Sequence, residues 1–206
     1  MIAVWGGCIR LHAQNSASES PDSTTYQSTI LYLPVFGSTP ETGLMLGGVM
    51  VPRFKIADAG PETRSSALFF SGIYTLNQQV MASFAADLIF PDEEWILNGQ
   101  AYGTYFPDRF WGVGPSTTTD DEVKILFTEL NFEQAVLKKV GSHLFAGPVV
   151  RLNSVRDITF RSLEGEKLES PELRGAGGSR VVGAGFIVRH DRRNSNITPT
   201  KHHFAE

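Results

Sequence analysis

Apolar residues in this chain recur at every second position, in one segment after another, and seldom run on. Val80, Ala82, Phe84, Ala86, Leu88 and Phe90 share one parity, while Gln79, Ser83 and Asp87 fall on the other, diluted by Met81, Ala85 and Ile89. Trp95, Leu97, Gly99, Ala101, Gly103 and Tyr105 then alternate with Glu94, Asn98, Gln100 and Thr104. Successive side chains of a strand point to opposite faces, so each segment carries one apolar and one polar face. The pattern continues downstream. Leu126, Leu130, Phe132 and Val136 oppose Glu129, Asn131 and Glu133; Leu144, Ala146, Val150 and Leu152 oppose His143, Arg151, Asn153 and Asp157; Val182, Ala184, Phe186 and Val188 oppose Gly183, Gly185 and Arg189.

The segments are long. The spacing predicts strands over 30–36, 42–54, 64–75, 79–90, 94–106, 122–138, 143–157 and 180–190, with another starting near 202. Soluble strands average about five or six residues, whereas a tilted membrane-spanning strand needs about nine to eleven. Length and alternation together predict an all-β, antiparallel transmembrane barrel wall of about eight strands. Leu76-Asn77-Gln78, Pro91-Asp92-Glu93 and Gly141-Ser142 read as tight hairpin turns, and 107–121 and 158–178 as long polar connectors. By strand count both long connectors lie on the same side as the turn at 76–78. That side is the cell exterior only if 30–36 is itself a strand or the chain enters unusually. Tyr74, Trp95, Tyr105, Phe106, Phe110 and Trp111 fall near strand ends, where interfacial aromatic girdles sit. The competing fold is a soluble β-sandwich or lipocalin-like barrel with its apolar face turned inward, which uses shorter strands and an interior of mixed sizes.

The composition, 41% hydrophobic and 19% charged, suits a barrel that needs one apolar face per strand, and the mean hydropathy of -0.10 is correspondingly neutral. No stretch reaches the roughly 20 apolar residues of a spanning helix. A net charge of -4 gives no support to nucleic-acid binding. Residues 1–14 contain the apolar run Ile2–Ile9 and then Ala13-Gln14, the pattern of a secretory signal lacking a basic start, and so of a truncated one. Gly7-Cys8 also admits a lipoprotein reading, against which Trp5 stands where a small aliphatic residue is expected. Residues 15–29 are small and polar and read as a linker; 30–206 is the barrel domain.

Few residues suggest chemistry. Glu129 and Glu133 share a polar face, which is either a carboxylate pair for proton transfer or a solvated wall. Asp191 and Arg193 share a parity, either as an inner lock or gating contact or as a strand-end pair at the water interface. Ser71, Ser83 and Ser142 have no recognisable catalytic partners, and no Gly-x-Ser-x-Gly elbow is present. His202-His203 lacks a third metal ligand. The expectation is no enzyme, no cofactor and no metal.

Two stretches carry a resemblance. Leu33-Pro34-Val35-Phe36-Gly37-Ser38-Thr39-Pro40-Glu41-Thr42-Gly43 runs into a glycine-rich strand, and Gly183-Ala184-Gly185-Phe186 leads to Asp191-Arg192-Arg193-Asn194, then Pro199. With Phe110-Trp111-Gly112-Val113-Gly114 they resemble the BamA/TamA-type superfamily of bacterial surface-antigen barrels over roughly residues 30–206. The family's Gly-x-Gly strand ends in Asp-x-Arg-(Asp/Asn), matched by Asp191, Arg193 and Asn194; the family glycine after the proline is His202 here. The resemblance implies structural roles for Pro40, Glu41, Gly43, Gly183, Gly185, Asp191, Arg193, Asn194 and Pro199.

It also implies a barrel of about sixteen strands, of which this chain supplies the N-terminal half, in a short form without periplasmic POTRA-like modules. The family's Arg-Gly-(Phe/Tyr) loop motif and closing aromatic strand are not found. A complete eight-stranded barrel is the alternative. The function implied is assembly or translocation of proteins or lipids at the bacterial outer membrane. Its partners would be membrane lipid, unfolded outer-membrane clients and periplasmic factors. A passive pore or structural barrel is the other reading.

Overall fold

A computed structural model describes residues 28–171 and 174–193, and the backbone of Phe204–Ala205. Strands run over Thr29–Thr39 (β1), Gly43–Phe54 (β2), Ser66–Thr75 (β3), Val80–Ile89 (β4), Trp95–Phe110 (β5), Val123–Gly141 (β6), Leu144–Arg161 (β7), Lys167–Leu168 (β8), Ser179–Asp191 (β9) and Phe204–Ala205 (β10). All pairings are antiparallel, in the order β1-β2-β3-β4-β5-β6-β7-β9-β10, with β8 a small flap on β7. The alternating segments therefore become a meander of long hairpins. The sheet does not close into a barrel, since β1 and β10 do not pair with each other.

Directly paired residues share a face, so the register divides the side chains cleanly. Phe69 on β3 and Val181 on β9 line one cavity of about 600 Å³. Flat, those strands would stand five spacings apart, roughly 24 Å at about 4.8 Å each. The sheet is thus strongly curved, and this is its concave face. It carries Ser83, Gln100, Tyr102, Asn131, Glu133 and Arg151 at mid-height. The convex face carries the aliphatic and aromatic set: Phe36 is 76% exposed, Leu46 59%, Phe132 41% and Phe186 69%.

The concave face departs from the polar expectation at both ends. At one end Ile89, Ile96, Ala135, Leu137, Phe145, Val149 and Ile187 form the only buried apolar cluster found among the described residues. At the other, Phe106 stacks on Phe127 (centroids 5.9 Å apart) and Phe110 on Phe160 (5.6 Å). Phe106 and Phe110 were expected in a girdle. Their register partners Phe127 and Val123 fix them on the concave side instead. Asp157 is also displaced from the parity expected of it. A bulge between Leu126/Thr128 and Arg156/Thr159 puts Asp157 at φ 58 and swings its side chain outward, 72% exposed.

β5 runs on through Pro107 to Phe110, beyond the expected end at 106, and β7 reaches Arg161 rather than 157. The long connectors shrink accordingly to 111–122 and 162–178. Because β1 is a strand, both lie on the same side as the 40–42 and 76–79 turns (the A end). The turns 90–94 and 142–143 and the connector 55–65 lie at the opposite, B end.

Candidate functional site: a charge cluster at the B end

The connector 55–65 does not project outward. Two turns shape it, with the Ala59 N–H donating to Ile56 O (3.1 Å) and the Thr63 N–H to Gly60 O (3.1 Å). Lys55 Nζ adds bonds to Gly60 O (2.9 Å) and Pro61 O (2.8 Å). The connector then delivers Arg64 across the concave face. Arg64 Nε donates to Glu93 Oε1 (2.7 Å) and Nη2 to Glu93 Oε2 (3.0 Å), a bidentate pair; Nη1 donates to Asp191 Oδ2 (2.8 Å). Arg193 grips the same carboxylate through Nε to Oδ1 (2.9 Å) and Nη2 to Oδ2 (2.9 Å), with its own N–H on Oδ1 (3.0 Å).

The cluster is dry. Side-chain exposure is 7% for Arg64 and 2% for Asp191. Burial opposes the charge on Arg64, but hydrogen bonds to Glu93 and Asp191 and their negative charges outweigh it and raise its pKa. Hydrogen bonding to Asp191 likewise raises that of Arg193. Two cations against two carboxylates leave the cluster neutral, the condition under which buried charge is tolerable. Asp191 and Arg193 pair at the end of β9, with side chains 2% and 22% exposed.

At mid-height on the concave face Glu129 Oε1 accepts Asn131 Nδ2 (2.8 Å) and Asn153 Nδ2 (3.0 Å), while Glu133 pairs with Arg151 (2.6 Å). Four residues along a strand put the two carboxylates about 13 Å apart, too far to share a proton, and each already has a partner. Arg189 bonds Asn98, which in turn donates to Asp87. Ser71 and Ser83 hydrogen-bond each other across β3 and β4 (2.6 Å).

The residues of the two sequence motifs do not converge. Pro40, Glu41 and Gly43 form the β1–β2 turn at the A end, with Gly43 at φ +63, a conformation that favours glycine. Glu41 contributes its backbone carbonyl, which accepts Asn77 Nδ2 (2.8 Å) and Gln79 Nε2 (3.3 Å); Gln79 Nε2 also reaches Pro107 O (3.0 Å), tying three hairpin ends together. Gly183 and Gly185 sit midway along β9, and no atom lies within 4 Å of a Cβ built on Gly183. Asp191 and Arg193 are at the B end. Asn194, Pro199, His202 and His203, like residues 1–14, lie outside the described residues.

Arg64 and Glu93 were not anticipated. Hairpin counting was the available signal: it puts the 55–65 connector, the 91–93 turn and the end of β9 at one end of the sheet. No family model, curated protein or solved structure matches the chain. The fold class that stands on the coordinates is an all-β, open, curved antiparallel meander.

Proposed function

We propose that this sheet is the N-terminal half of a BamA/TamA-like outer-membrane β-barrel of about sixteen strands, exported through residues 1–14. The convex face is the observation that carries this reading. Its apolar side chains are exposed on every long strand from β1 to β9, which in water is costly over so large a patch and in hydrocarbon is favourable. Trp95 marks one end of that band, with Lys138 Nζ 5.2 Å from its ring centroid. Tyr105 marks the other, level with Val80 and near Tyr74. Ten residues at about 3.3 Å, tilted by about 45°, give a band about 23 Å high, against about 25 Å for outer-membrane barrels.

With β1 entering from the B end, that end is periplasmic and the longer connectors 111–122 and 162–178 are extracellular, the usual asymmetry of such barrels. The free edges of β1 and β9–β10 are where the remaining wall would join. Assembly or translocation of proteins or lipids is the function we favour, through the motif resemblance around Pro40–Gly43 and Asp191–Arg193. The Arg64 contacts to Glu93 and Asp191 across the B end support it over a passive pore.

The test is deletion of the gene followed by an inventory of outer-membrane proteins. Depletion of other barrels or of surface lipid supports an assembly role. An unchanged membrane, together with steady ion conductance of the purified protein in bilayers, overturns it in favour of a pore.

A further inference from the structure

We infer that the 55–65 connector is a latch closing the B-end mouth of the concave trough, with Arg64 as its catch. The inference rests on the membrane-barrel reading. Three observations carry it. The catch spans the trough: Arg64 belongs to the β2–β3 connector, Glu93 to the β4–β5 turn, and Asp191 to the end of β9. The buried cluster of Ile89, Ile96, Leu137, Phe145 and Ile187 lies at the same end, so in a closed wall a polar path along the mid-height band would meet apolar side chains beside the latch. Apolar constrictions stop ions by excluding water.

The latch itself is held by polar contacts. Besides Arg64, the Asp92 N–H donates to Thr63 Oγ1 (3.2 Å). A cavity of about 740 Å³ lies along it, lined by Glu62, Lys139 and His143 and by Arg64, Glu93 and Asp191 of the catch itself. A segment seated on a cavity and fixed by a few directional bonds has two arrangements available, seated or lifted. Asp191 need not be orphaned when it lifts, because Arg193 keeps both carboxylate oxygens paired. That arrangement lowers the cost of release while leaving the closed state well defined.

The experiment is single-channel recording of the full-length protein in planar bilayers, comparing the native chain with Arg64→Met and Glu93→Gln. The native protein should insert and stay mostly closed. Arg64→Met should raise the open fraction by about tenfold or more, and Glu93→Gln, which keeps Arg64 on Asp191, by less. Should Arg64→Met fail to fold, Glu93→Gln alone decides, because only one hydrogen-bonding charge is removed. Equal open fractions in native and variant channels overturn the latch and leave the barrel reading intact. A native protein that does not insert overturns both.

Discussion

Arg64 Nη1 lies 2.8 Å from Asp191 Oδ2 across 127 residues of sequence, joining the β2–β3 connector to the far strand of the sheet. No other contact described here binds the two flanks of the meander so directly. It ties the β2–β3 connector to the end of β9 across the concave face.

Removing that link should destabilise the fold. Arg64→Met leaves the part-buried Glu93 and the buried Asp191 short of a guanidinium, and a buried pair broken on one side costs up to about 3 kcal/mol. Arg64→Lys should recover only part of this, because an ammonium cannot make the bidentate contact with Glu93 and reach Asp191 together. Urea titration followed by tryptophan fluorescence, or loss of heat-modifiable migration on gels, measures both variants.

Two glycines are required where strands cross closely. A Cβ on Gly147 would sit 1.9 Å from Val136 O, and one on Gly47 would sit 2.2 Å from Gly72 O, both backbone atoms with no freedom to move aside. Gly147→Ala and Gly47→Ala should abolish the folded form. Gly72→Ala and Gly103→Ala, where nothing lies within 4 Å of the new carbon, should be tolerated. Yield of folded protein after refolding separates the two pairs.

Gln134 is a polar residue on the convex face of β6, between Phe132 and Val136. Its amide Nε2 lies over Gly99 and donates to Asn98 O (2.9 Å) and Ala135 O (3.0 Å), so its polarity is consumed locally. Gly99→Ala would put a carbon 2.5 Å from Oε1 and push the amide off. The expected loss is about 1–2 kcal/mol. Gln134→Leu should be nearly neutral, and the double variant should recover most of the Gly99→Ala loss. A double-mutant cycle in denaturant tests this coupling.

The proposed orientation predicts unequal connectors. A short epitope inserted between Val113 and Thr117 should leave the protein folded and be stained on intact cells. The same insertion at Ser142-His143, a tight turn with His143 at φ 61, should prevent folding. Staining only after permeabilisation would reverse the orientation.

The period-two pattern was legible wherever one face is uniformly polar, as in β6, where Glu129, Asn131 and Glu133 alternate with Leu130 and Phe132. It blurred where the concave face turns apolar. Ile89, which broke the alternation of β4, is a member of the buried cluster, so the irregularity in the pattern marked a real feature. Pro107 hid the end of β5, because proline usually stops a strand, yet here the register with β6 continues through it to Phe110. The charge cluster was half legible. Asp191 and Arg193 are two residues apart on one parity, whereas Arg64 and Glu93 meet them only through curvature, which hydropathy does not encode. The motif glycines and the Pro40–Gly43 turn were found but proved to lie at different heights of the sheet.

In the proposed barrel lipid covers the convex face, and single-cysteine labelling along β6 decides whether it does. With Cys8 replaced, residues 129–136 are changed to cysteine one at a time and the protein is reconstituted into liposomes. Each variant then meets a water-soluble maleimide. Leu130 is 37% and Phe132 41% exposed in the chain alone, so only lipid would shield them. Lipid cover should give slow labelling at 130, 132, 134 and 136 and fast labelling at the polar concave positions 129, 131 and 133. Equal, rapid labelling at 130 and 132 would contradict it.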